Sequence, residues 1–136
     1  RQEIWVKLLG NISFNPISAL TGGTLVRIAQ HPQASELVRD MMKETGAVAE
    51  RLGIEVPITI EQRIAGAGKV GEHKTSMLQD VEAGRPMELE ALVGACIELG
   101  ERLGIPMPAT KAVYACAALL NDRLKSPAPA PAGEGT

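Results

Sequence analysis

Two stretches of this chain end in nearly the same phrase, ERLGIEVP at 50–57 and ERLGIPMP at 101–108. Each is a helix stop: glycine takes the left-handed cap, isoleucine packs back, and proline forbids continuation. The sequences flanking the two do not match, so they are one helix-ending device used twice and not a duplication. Between such stops the apolar residues recur at helical spacing, and runs that alternate like a strand are weak throughout. The expected fold class is therefore all-α.

Helices are expected at the following places. The first carries Ile4, Leu8 and Ile12 on one stripe, and it should end or kink near Asn15, because Pro16 disfavours helical geometry in the residue before it. TGGT (21–24) is a loop. A long helix follows His31-Pro32 and stops at Gly53. A shorter one spans about Thr59 to Ala65, and another about Thr75 to Glu82. Gly84 and Pro86 set a turn before a helix that runs to Leu103, and a last helix covers Ala109 to about Leu124. The domain is expected over 1–125, with 126–136, a Pro/Ala/Gly-rich run without an apolar anchor, as a disordered tail.

A chain of 136 residues with a single Trp, Tyr and Phe must build its core from aliphatic side chains and methionine. The net charge is −2 with the signs interspersed. No basic face with interleaved aromatics is present, which argues against nucleic acid as a partner. No apolar run reaches the ~18 residues that suggest a membrane span, and no signal peptide is visible. The chain opens on RQEIWVKLLG, which reads as the middle of a helix, so the expectation is a fragment of a longer protein. Cys96 and Cys116 both fall in apolar helical runs and are expected as buried, reduced thiols of a cytoplasmic protein.

Gly66, Gly68 and Gly71 spell GxGxxG, but a dinucleotide site places that series between a buried strand and a helix. TIEQRIA before it is not strand-like, and EHK after it opens no convincing helix. A flexible loop, with glycine permitting close approach to another group, is the better reading.

Two polar constellations stand apart from core building. Lys7, Asn11 and Asn15 recur every fourth residue and so share one helix face. They are either surface residues of an ordinary helix or a set of one ammonium and two carboxamides aimed at a small polar anion. Asn is a poor helix former, which favours the second reading. Ser76 forms an S-x-x-Q capping box with Gln79, which accounts for it without a ligand; a serine at a helix start can also face a carboxylate. Glu88, two residues after Pro86, either complements a helix N-terminus or serves a site. His31 and His73 are isolated and lack metal-ligand spacing.

These residues carry a resemblance. W-x-K-x3-N-x3-NP at 5–16, KTSMLQD at 74–80, GRPMELEALVG at 84–94 and GIPMP at 104–108 resemble the C-terminal helical domain of the ketopantoate reductase (2-dehydropantoate 2-reductase) family, over about residues 4–124. The resemblance implies an all-helical domain similar to that of 6-phosphogluconate dehydrogenase. It also implies an N-terminal Rossmann domain that binds NADPH, and a small-molecule 2-keto acid held between the two. By the same resemblance Lys7 is the general acid at the ketone oxygen. Asn11 and Asn15 bind substrate oxygens, Ser76 binds the substrate carboxylate, and Glu88 contacts the substrate hydroxyl and helps set the lysine. A homodimer is a further expectation. The loop TGGTL lacks an asparagine that some members carry, with Thr24 as its stand-in. Two alternatives stay open: a paralogue for another 2-oxo acid, and a non-catalytic helical dimerisation or binding module.

Overall fold

A computed structural model describes residues 1–126, and no strand occurs among them. Seven α-helices follow in order: α1 Gln2–Thr21, α2 Leu25–Gln30, α3 Pro32–Arg51, α4 Ile60–Gly68, α5 Ser76–Glu82, α6 Ala95–Leu103 and α7 Pro108–Lys125. A π-helical turn, Glu90–Gly94, runs directly into α6. The all-α expectation holds. The tail expected from 126 onward lies, after Ser126, outside the described residues.

α1 is the central element and packs against α3, α5 and α7. Two apolar clusters flank it, one taking Trp5, Ile12 and Ala19 and the other Leu9, Phe14 and Ile17. This double burial explains the largest departure from the local rules. α1 does not end at Asn15 but continues through Pro16 to Thr21. Proline there removes one ladder hydrogen bond, yet every residue from Ile12 to Ala19 is buried, and unwinding would expose that surface. The Ser13 hydroxyl donates to the Leu9 carbonyl at 2.6 Å in the turn before the proline. Ile4, expected on the apolar stripe, is exposed.

The helix ends otherwise follow their expected chemistry. Gly22, Gly53 and Gly104 take left-handed φ values of 80°, 77° and 74° after α1, α3 and α6. His31 caps α3, its Nδ1 accepting from the Ala34 N–H at 3.0 Å. Thr59 and Gln62 form a reciprocal capping box on α4. α4, however, extends through Gly66 and Gly68, so the glycine series is mostly helix and not a loop. Gly68 faces Ala29, where α2 and α4 pack together. Only Gly71 of the series has a left-handed φ, at 76°.

The segment after Pro86 also differs from expectation. Glu88 lies in a bend, and the helix begins just after it with the π turn. Asn121, buried on α7, holds this segment: its Oδ1 accepts from the Met87 N–H at 2.7 Å and its Nδ2 donates to the Met87 carbonyl at 3.3 Å. Cys96 is buried, and burial pushes its thiol above the ordinary value. Cys116, expected to be buried, is exposed, because its helix face points away from the core.

Tyr114 donates a hydrogen bond to Glu90 of the π turn. That bond first, and burial second, push its phenol up to about 12. A group whose proton is held more tightly when folded stabilises the fold below its unfolded pKa of about 10 and loses that contribution as pH rises through the folded value. Tyr114 is the chain's single tyrosine. Alkaline titration of the phenolate absorbance should therefore give a midpoint near 12 in the folded chain, and Glu90→Gln should move it down. A midpoint at the ordinary tyrosine value would remove this contact.

Candidate active site

A cavity of about 300 Å³ opens along one face of α1. Gly10, Asn11 and Asn15 form its wall on that helix, Leu25 of α2 and Arg63 of α4 close its sides, and the 73–76 stretch with Gln79 forms its far edge. Three of the residues singled out in the sequence, Asn11, Asn15 and Ser76, thus converge from positions far apart in the chain. Its size is at the small end for ligand sites, which suits a small molecule.

Asn15 is 8% exposed and makes no side-chain hydrogen bond among the described residues, yet no buried side-chain nitrogen or oxygen among them is left without a partner. Its amide therefore opens onto the cavity. Asn11 lies one turn earlier on the same face. Both amides are held by a helix that is packed on two sides, which fixes their direction better than a loop does.

Ser76 corrects a local expectation. The cap of α5 is Thr75, whose hydroxyl accepts from the Leu78 N–H at 3.1 Å. Thr75 is buried and also meets Ser18 of α1 hydroxyl to hydroxyl, so a tertiary contact decides which of the two neighbouring hydroxyls does the capping. Gln79 turns its amide to the Lys74 carbonyl at 3.2 Å. The S-x-x-Q box is not formed, and the Ser76 hydroxyl lies at the cavity wall with no hydrogen-bond partner among the described residues.

Lys7 and Glu88 are placed differently. Lys7 is exposed one turn before Asn11 on the same face of α1, just beyond the residues that line the cavity. It takes part in no ion pair among the described residues. Glu88 is exposed in its bend and does not line the cavity. The π turn that follows it flanks the N-terminal half of α1, where Ala91, Leu92 and Ala95 border a groove with Trp5, Leu8 and Ile12. The structure thus brings together the two asparagines and the serine, and leaves the lysine and the glutamate at the periphery.

Arg63 was not singled out from the sequence. A signal was present: Ile60, Ile64 and Ala67 mark the inward stripe of α4, and position 63 falls within it. A charge on an apolar stripe is the kind of exception that marks a site. A larger cavity, about 510 Å³, lies elsewhere, between α1, α3 and the 53–60 connection, and contains none of the expected site residues.

The glycine series is not the turn of a dinucleotide site, because it begins inside α4 with no strand before it. No metal-binding group of His, Cys, Asp and Glu occurs among the described residues, and no helix among them is long and apolar enough to cross a membrane.

An all-α domain wrapped round one central helix, with a polar cavity along that helix, is the class that fold and site define. Residues 1–121 match the family model described as ketopantoate reductase PanE/ApbA C terminal, and the chain belongs to that family. A 2-dehydropantoate 2-reductase of Mesorhizobium japonicum is 58% identical over 115 residues, which are 85% of this chain and 35% of that protein. The crystal structure of 2-dehydropantoate 2-reductase from Methylococcus capsulatus superposes with a TM-score of 0.83 at 37% identity, covering 92% of this chain and 44% of that one. A dimeric ketopantoate reductase from Staphylococcus aureus gives a TM-score of 0.75 at 26% identity, over 90% of this chain and 44% of that one. The chain thus spans about a third of the length of the curated relatives it matches.

Proposed function

We propose that residues 1–125 are the C-terminal, substrate-binding domain of an NADPH-dependent reductase. Its reaction is the conversion of 2-dehydropantoate to pantoate, a step of pantothenate and coenzyme A biosynthesis in the cytoplasm. The observation that carries this reading is the convergence of Asn11, Asn15 and Ser76 on one small cavity that no acidic side chain lines, in a chain of this family. NADPH is held mainly by a Rossmann domain outside this chain and supplies the hydride to the ketone carbon.

What this chain supplies acts on the oxygen. Asn11 and Asn15 donate amide hydrogens to substrate oxygens from adjacent turns of a rigid helix and so fix the angle of the reacting carbonyl. Ser76, freed from capping by Thr75, donates its hydroxyl to the carboxylate. As negative charge gathers on the ketone oxygen, the Lys7 ammonium at the mouth stabilises it and gives up the proton that completes the alcohol. Glu88 contacts the substrate hydroxyl and favours the charged lysine. The dimeric state named for the Staphylococcus aureus protein supports a homodimer here.

The test is NADPH oxidation by the full-length protein with 2-dehydropantoate beside a panel of other 2-oxo acids. Turnover is expected with 2-dehydropantoate above all others. Turnover confined to another 2-oxo acid would keep the reaction and replace the substrate, and no turnover with any of them would leave a binding module.

A further inference from the structure

Arg63 is the one cavity residue whose charge nothing nearby explains. The other lining cation with a strong permanent charge, Lys74, pairs with Glu82 at 2.9 Å. Arg63 has no ion pair among the described residues. Its only side-chain hydrogen bond among the described residues runs from Nε to the Val6 carbonyl at 3.3 Å, a group that the α1 ladder already assigns to the Gly10 N–H. A guanidinium carries five N–H donors in a planar fork, so most of its donors are left without a protein partner. It is also half-buried, and burial with no facing acid pushes its pKa below the usual value. A charge held in that condition costs stability unless something offsets it.

Gly10 is the second observation. A Cβ at this position would overlap the Arg63 guanidinium. Glycine inside a helix costs about 1 kcal/mol against alanine, and here it sits in the middle of the most buried helix of the fold. Its absence of side chain is what lets the guanidinium approach α1 closely, at Val6 and Gly10, within one turn of Lys7 and of Asn11.

We infer that Arg63 is the cationic contact for the substrate's carboxylate and the residue that makes the site prefer a free acid to its neutral derivatives. This rests on the reductase reading above and names the group that carries its charge recognition. The planar fork matches a carboxylate through two parallel hydrogen bonds, which a lysine cannot reproduce. In a 2-oxo acid the ketone is bonded directly to the carboxylate carbon. A carboxylate seated on Arg63 therefore holds the ketone beside the stretch of α1 that carries Lys7 and Asn11. Ser76 adds a neutral hydrogen bond from the opposite wall, and Arg63 supplies the charge.

The experiment compares the full-length protein with its Arg63→Met, Arg63→Lys and Gly10→Ala variants, using 2-dehydropantoate and its methyl ester. Arg63→Met is expected to raise KM for the acid by about thirtyfold, the loss of one charge-assisted contact, with a smaller change in kcat. KM for NADPH and for the ester should stay the same, so the preference for acid over ester collapses. Arg63→Lys should recover part of it. Gly10→Ala should weaken acid binding in the same direction without lowering the melting temperature, because it displaces only the far end of a flexible side chain. A role confined to holding α4 on α1 predicts instead equal losses for acid and ester. If all three variants keep the acid KM and the preference while turning over NADPH, Arg63 is not the contact and the reductase reading stands. If Arg63→Met fails to fold, the Arg63→Lys and Gly10→Ala results decide by the same criterion. If the unaltered protein reduces no 2-oxo acid, both readings fall.

Discussion

Lys7→Ala in the full-length protein is expected to lower kcat for 2-oxo-acid reduction by about 10²–10⁴-fold, the range that loss of a positioned proton donor produces. The melting temperature should stay within the scatter of a surface substitution, about 0.5 kcal/mol in stability. Lys7 is exposed and makes no ion pair among the described residues, so the fold does not depend on it. Its value lies in where α1 places it, one turn from Asn11 on the same face and just beyond the residues that line the cavity. Charge develops on the ketone oxygen only as the hydride arrives, so a group that stabilises and protonates that oxygen acts on kcat more than on binding. Initial rates at saturating substrate, with circular dichroism on the same preparations, check both halves. A folded variant with undiminished kcat would place the proton donor elsewhere and return Lys7 to the solvated surface.

The features that could be read from the sequence are those fixed by short-range chemistry. Gly53 and Gly104 end helices where the glycine and proline punctuation puts the stops, and four-residue spacing alone sets Asn11 and Asn15 on one face. What failed did so where a distant residue decides. Pro16 obeys the local rule poorly because the residues beyond it are buried on both sides of α1. The choice of Thr75 over Ser76 as the cap depends on Ser18, 57 positions away, and no pattern within the motif could distinguish the two hydroxyls. Arg63 was not singled out in TIEQRIA; its place on the inward stripe of α4 was legible, but its contact with Gly10, from a helix 53 positions earlier, was not. The glycine series misled in the opposite way, since residues read as a loop were absorbed into α4 through Gly68.

Glu44→Ala is expected to destabilise this chain by about 2–4 kcal/mol, although in the sequence Glu44 is only one more acid on an amphipathic helix. From α3 it caps another element: its carboxylate accepts from the Ala109 N–H at 2.9 Å, the Thr110 N–H at 2.8 Å and the Thr110 hydroxyl at 2.7 Å. α7 has no cap of its own. Met107 offers no side-chain acceptor there, and Pro108 at the first position has no N–H. Thr110 is fully buried, so removing the carboxylate strands donors that water cannot reach, and the favourable meeting of an anion with a helix N-terminus is lost as well. Glu44→Gln keeps one acceptor oxygen and should cost about half as much. The loss should also be felt at a distance. α7 carries Asn121, whose amide fixes the Met87 backbone, and the next residue is Glu88. Loosening α7 at its start thus loosens the bend on which the proposed role of Glu88 depends. Denaturant unfolding followed by circular dichroism should show a lower midpoint with an unchanged slope, in the order Ala below Gln below the unaltered chain. If Glu44→Ala unfolds together with the unaltered chain, α7 is capped by solvent, and the path from α3 through Asn121 to the Glu88 bend carries no energy.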